Sequence, residues 1–69
     1  MKVLPQSKMN EVMVQQAQWF TRKGRAMSAW DLIQAEDLGK LMLQSPDWNI
    51  QGIGKHLIRF VNRILFEQV

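Results

Sequence analysis

The sequence predicts a small all-α protein, a three-helix bundle in a single domain spanning residues 1–69. Three observations predict it. Apolar residues recur at helical spacing in three stretches, a serine stands where each stretch could begin, and no segment sustains the period-two alternation of a strand. A chain of 69 residues has room for one core only, and at this size folding buries only about 60% of the surface the unfolded chain exposes. With no cysteine, disulfides cannot reinforce it, and one histidine without cysteine leaves no tetrahedral zinc site. Apolar residues at 46% and charged residues at 22% are those of a folded soluble domain. Reinforcement is left to helix packing, to self-association as a homodimer, or to a partner.

The first helix is predicted over about residues 8–23, with residues 1–6 flexible. Ser7 stands as its cap behind Pro5, and Met9, Val12, Met13 and Phe20 fall on one face opposite Glu11, Gln15, Gln18 and Arg22. Met9, Met13 and Phe20 are expected in the core. Gly24 after Arg22 and Lys23 supplies a stop with cations against the helix dipole.

The second helix has the best start signal in the chain. Ser28-x-x-Asp31 is a variant of the capping box, and Met27 and Leu32 occupy the hydrophobic-staple positions. Leu32, Ala35, Leu38, Met42 and Leu43 form a broad stripe that carries the helix to about Gln44. Gly39 lies in that stripe, where it either lets another backbone come close or breaks the helix.

Ser45-Pro46-Asp47 reads as a cap, a proline at the first helical position and an acid in the first turn. Gly52 and Gly54 argue against one helix from Pro46, so a turn over Pro46–Asn49 and a helix starting near Ile50 to Gly54 are expected. Ile53, Leu57, Phe60, Val61 and Ile64 make its apolar face, and Lys55, Arg59 and Arg63 repeat every four residues on the other.

Net charge is +3, too modest to announce nucleic acid. Its distribution is uneven: residues 1–30 carry net +4, residues 31–47 net −3 and residues 48–69 net +2. A bundle can neutralise such an acidic middle internally. No apolar run exceeds three residues, so no membrane span and no export signal is expected, and the cytoplasm, that of a bacterial host if the chain is phage-encoded, is the expected compartment.

Catalysis finds no support. It requires a nucleophile or an acid–base pair held in a pocket, yet all three serines read as caps and Thr21 is the only threonine. His56 is the sole imidazole, on a polar helix face. Glu36 and Asp37 are adjacent and point about 100° apart on a helix, too divergent to share a proton or a metal. Gly52-x-Gly54 lacks the third glycine and the strand of a phosphate loop. The expectation is no enzyme, no cofactor and no metal.

Five methionines and three tryptophans are unusual in so short a chain. They either fill a small core or anchor an interface, since methionine adapts its shape and tryptophan dominates many interfaces. Trp30, Ile33 and Leu41 lie on the side of the second helix away from its stripe, and so are sandwiched between neighbours or offered to another protein. Trp19 leads into Phe20, Arg22, Lys23 and Arg25. Aromatic plus arginine is interface composition, although cations at a helix C-terminus need no such role. The expected partner-binding residues are Trp19, Arg22, Arg25, Trp30, Ile33 and Leu41, with Arg59, Arg63 and Phe66 as a second patch.

Two function classes remain. A helix-turn-helix DNA binder would use the second helix, the Ser45–Asn49 turn and the third helix, but that turn is long, and only Gln51 is placed to read a base edge. A protein-binding regulator needs only a folded body with exposed anchors. Over its 69 cysteine-free, helical residues the chain resembles, in length and composition, the small antirepressors of temperate coliphages. That resemblance implies non-covalent binding to a repressor, or another transcription regulator, that loses its operator so that lytic growth is favoured. The inhibitor need only bind the DNA-free repressor better than the DNA-bound one.

Overall fold

The computed structural model describes residues 5–67 and contains α1 (Gln6–Lys23), a 3-10 turn (Gly24–Ala26), α2 (Ala29–Leu43) and α3 (Trp48–Glu67), with no strand among the described residues. The bundle measures 42 × 23 × 17 Å. Of the stretch expected to be flexible, residues 1–4 lie outside the described residues, whereas Gln6 already opens α1.

Helix α1 starts on Pro5, not on Ser7. The Pro5 carbonyl accepts hydrogen bonds from the amides of Lys8 and Met9, both at 3.0 Å, and Ser7 is a residue of the first turn. Proline holds the extended backbone ahead of a helix and has no N–H to leave unpaired, so its carbonyl can begin the ladder without a side-chain cap. At the other end Gly24 takes φ 51°, and its amide reaches back to the Phe20 carbonyl. That left-handed turn is where glycine is needed.

Helix α2 begins as the capping-box spacing predicts. Ser28 Oγ accepts from the Asp31 amide at 3.2 Å, and Asp31 Oδ2 accepts from the Ser28 amide at 3.1 Å. Met27 and Leu32 are both buried in the core, as staple residues should be. Ser28→Ala is expected to destabilise the protein by ~1 kcal/mol, seen in a thermal melt as a drop of about 4–8 °C. An unchanged melt would remove the cap from the account.

Helix α3 runs unbroken from Trp48 through Gly52 and Gly54, earlier than the expected start near Ile50 to Gly54. Asp47, not Ser45, begins it: Asp47 Oδ1 accepts from the Asn49 amide at 2.9 Å and its carbonyl from the Gln51 amide at 3.0 Å. Ser45 is buried two residues earlier, its Oγ accepting from the Asp47 amide and its carbonyl from Gln51 Nε2. Its hydroxyl therefore shapes the turn that presents Asp47.

The helices run up, down and up. Lys23 at the end of α1 pairs with Asp31 at the start of α2, while Met9 and Met13 share a small hollow with Leu41 and Gln44 at the other end. Glu67 at the end of α3 returns to Arg25, just before α2. The core joins Met13, Ala17 and Phe20 of α1 to Leu32, Ala35 and Met42 of α2 and to Ile50, Leu57, Val61 and Ile64 of α3. Met9, Val12 and Leu43, expected on the inner stripes, are instead exposed. Ala17 takes the inner position on α1, which turns Met9 and Val12 to the edge.

Gly39 and Gly54 explain the tightness of the α2–α3 pair. A Cβ built on Gly39 would lie 2.6 Å from Ile58 Cγ1, and one built on Gly54 would lie 2.7 Å from the Gly39 carbonyl oxygen. Neither glycine breaks its helix. Both are places where two backbones meet, and α1 is packed much less extensively against this hairpin.

Candidate interaction faces

Two surfaces stand out. The first spans α1 and α2. Trp30, at 65% exposure, Ile33 and Leu41 line the outer face of α2 with Asp37 among them, away from buried Leu32, Ala35, Gly39 and Met42. They are not sandwiched between neighbouring helices. Because α1 is antiparallel to α2, its exposed Trp19, Val12 and Met9 border the same side, Met9 meeting Leu41 across the small hollow.

Trp19 is held in place from α2. The Lys23 ammonium stands 4.4 Å from the Trp19 ring centroid and 2.9 Å from Asp31 Oδ2, while Trp19 packs edge-on against buried Phe20, centroids 5.0 Å apart. The Lys23 hydrogen bond, helped by the Ser28 amide, holds the Asp31 carboxyl below its ordinary pKa. Such a depressed carboxylate contributes stability above the usual carboxylate range and loses it as pH falls through the lowered value. Lys23 is thus the residue that joins the two aromatic-bearing segments, a role hidden in sequence by the eight residues separating it from Asp31.

The other expected anchors go elsewhere. Arg25 turns to α3, where its Nε lies 3.2 Å from Glu67 Oε2, and it lines a hollow with Phe60 and Arg63 rather than with Trp30. Arg22 is exposed and has no carboxylate partner among the described residues.

The second surface is the outer side of α3. His56, Arg59, Phe60, Asn62, Arg63 and Phe66 line an open groove of about 620 Å³. It contains the whole second patch expected from sequence, Arg59, Arg63 and Phe66. Towards α1 it continues into a smaller trough lined by Ala17, Ile53, Leu57 and Phe60. Phe66 is 83% exposed. Trp48, at 76%, is an exposed aromatic that sequence reasoning passes over. Its signal is a helical angle opposite Leu57, legible only if the helix begins at Trp48.

Among the described residues, no three of His, Asp and Glu stand close enough to hold a metal ion, and no helix is long and apolar enough to cross a membrane. The chain matches no protein-family model, no curated protein and no solved structure.

Proposed function

We propose that this protein is a small phage-type antirepressor, which binds a repressor non-covalently and keeps it from its operator. The observation that carries the reading is the uncovered apolar face of α1 and α2, with Trp30, Ile33 and Leu41 at its centre. Large exposed apolar patches on small folds mark interaction sites, and tryptophan is enriched at the energetic centres of protein interfaces. A different protein suits this face better than a second copy. Two-fold pairing of α2, Trp30 against Leu41, would set the two Asp37 carboxylates within about one helical turn of each other.

A helix-turn-helix-like DNA-binding regulator is the second reading. The α2–α3 connection, residues 44–47, is shorter than the sequence suggests and within the range such motifs use. The course of α3 weighs against it. Glu67 returns to Arg25 beside the start of α2, so α2 and α3 form an antiparallel hairpin, not the steeply crossed pair of a helix-turn-helix.

Operator-release and duplex-binding assays separate the readings. The purified protein is expected to free a phage repressor from labelled operator DNA while leaving random duplex unshifted at moderate salt. A direct shift of random duplex, falling steeply with salt as several phosphate contacts require, would favour the DNA-binding reading instead.

A further inference from the structure

The outer face of α3 has a composition that the protein-binding reading does not use. Between Trp48 and Phe66 the helix contains Lys55, His56, Arg59 and Arg63 and not one acid. Elsewhere among the described residues four of the five cations are paired, Lys8 with Glu11, Lys23 with Asp31, Lys40 with Glu36 and Arg25 with Glu67, and only Arg22 is not. Lys55, Arg59 and Arg63 have no carboxylate partner among the described residues, and the one acid at the end of the helix, Glu67, is held by Arg25.

Helical geometry aligns these cations with the two most exposed aromatics. At about 100° per residue, Trp48, Lys55, Arg59 and Phe66 lie within about 40° of one line along the helix, with Arg63 and His56 beside it. Gly52 leaves that line smooth, since nothing lies within 4 Å of where its side chain would begin. The result is a row of fixed positive charges one turn apart, with an aromatic ring at each end and Phe60 in the floor of the adjoining groove.

We propose that this face binds single-stranded nucleic acid, with Lys55, Arg59 and Arg63 on the phosphates and Trp48 and Phe66 as stacking surfaces for unpaired bases. Three physical arguments choose this occupant. A packed protein helix would bury two or three charged heads at the middle of the contact, where desolvation opposes binding. A polyanion leaves those heads partly hydrated and gains from counterion release. A duplex keeps its bases stacked and has no use for two exposed rings, whereas unpaired bases stack on them irrespective of sequence.

The test is fluorescence anisotropy with a labelled 15-nucleotide single strand lacking self-complementarity, the same sequence as a duplex, and a poly-glutamate peptide. Expected is tighter binding to the single strand than to the duplex, with a salt slope of about −2, as three phosphate contacts on a single strand require. Trp48→Ala and Phe66→Ala should each weaken it about ten-fold, and Arg59→Ala with Arg63→Ala should reduce the slope. All four side chains are exposed, and circular dichroism checks each variant's fold. Trp30→Ala should leave oligonucleotide binding unchanged while weakening repressor release, which keeps this proposal separable from the antirepressor reading. Equal affinity for duplex, or indifference to loss of the two rings, would overturn it in favour of plain charge attraction. Capture of poly-glutamate but not of the oligonucleotide would overturn it in favour of an acidic protein segment, and no binding at all would overturn it outright.

Discussion

Gly54→Ala is expected to destabilise the protein by about 2–3 kcal/mol, while Gly52→Ala, two residues earlier on the same helix, stabilises it by about 0.5–1 kcal/mol. The new methyl at Gly54 would lie 2.7 Å from the Gly39 carbonyl oxygen, 2.7 Å from Met42 Cβ and 3.2 Å from the Leu43 amide nitrogen. None of these is the far end of a flexible side chain, so the clash is relieved only by moving α2 and α3 apart. Separating them loosens Met42, Leu57 and Val61, the largest fully buried side chains. At Gly52 the added methyl meets nothing, and only the gain in helix propensity is left. Thermal melts of the two variants should therefore shift in opposite directions, Gly54→Ala downward by about 10–20 °C. Shifts of the same sign would mean that the helices do not meet at these glycines.

Trp30→Ala is expected to weaken partner binding about thirty-fold or more, a loss of ~2 kcal/mol, with little change in melting temperature. The indole is largely in solvent and belongs to no part of the core, so its removal opens no cavity. Its position in the first turn of α2, beside the capped Ser28–Asp31 segment, keeps the ordering cost of binding low. Repressor titration with Trp30→Ala, Arg25→Ala and Arg63→Ala ranks the faces. Arg25 already satisfies Glu67, so its truncation should cost less than that of Trp30. Loss of binding in Arg63→Ala alone would move the docking surface to α3.

What the sequence reveals of the fold is what local chemistry decides. Ser28-x-x-Asp31 with Met27 and Leu32 is a complete start signal within six residues, and the structure makes both capping-box hydrogen bonds and buries both staple residues. Gly24 behind two cations is likewise a local stop. Ser7 and Ser45 misled because a serine in sequence shows only that a cap is available. Pro5 and Asp47, two residues away in each case, hold the geometry that begins the helix.

Gly54 misled for a different reason. Its helix propensity is poor, and the close approach to Gly39 that favours glycine there comes from a residue fifteen positions earlier. The same limit applies to the surfaces. Helical angle alone brings out Trp30, Ile33, Leu41 and Phe66. The partners chosen by Lys23 and Arg25 depend on how α1 and α3 close on α2, and Trp48 depends on where α3 begins.

The unequal packing of the three helices has a consequence for motion. Backbone against backbone at Gly39 and Gly54 makes α2 and α3 one stiff unit, whereas α1 rests on it through a few side chains and the Lys23–Asp31 pair. Local opening begins where least surface is buried, so α1 swings first, about the left-handed joint at Gly24. Each such excursion uncovers Leu57, which lies beside Val14 and Ala17, and takes Met9 away from Leu41. The apolar face is therefore whole only while α1 is closed, and its lifetime is set by the weakest helix of the bundle.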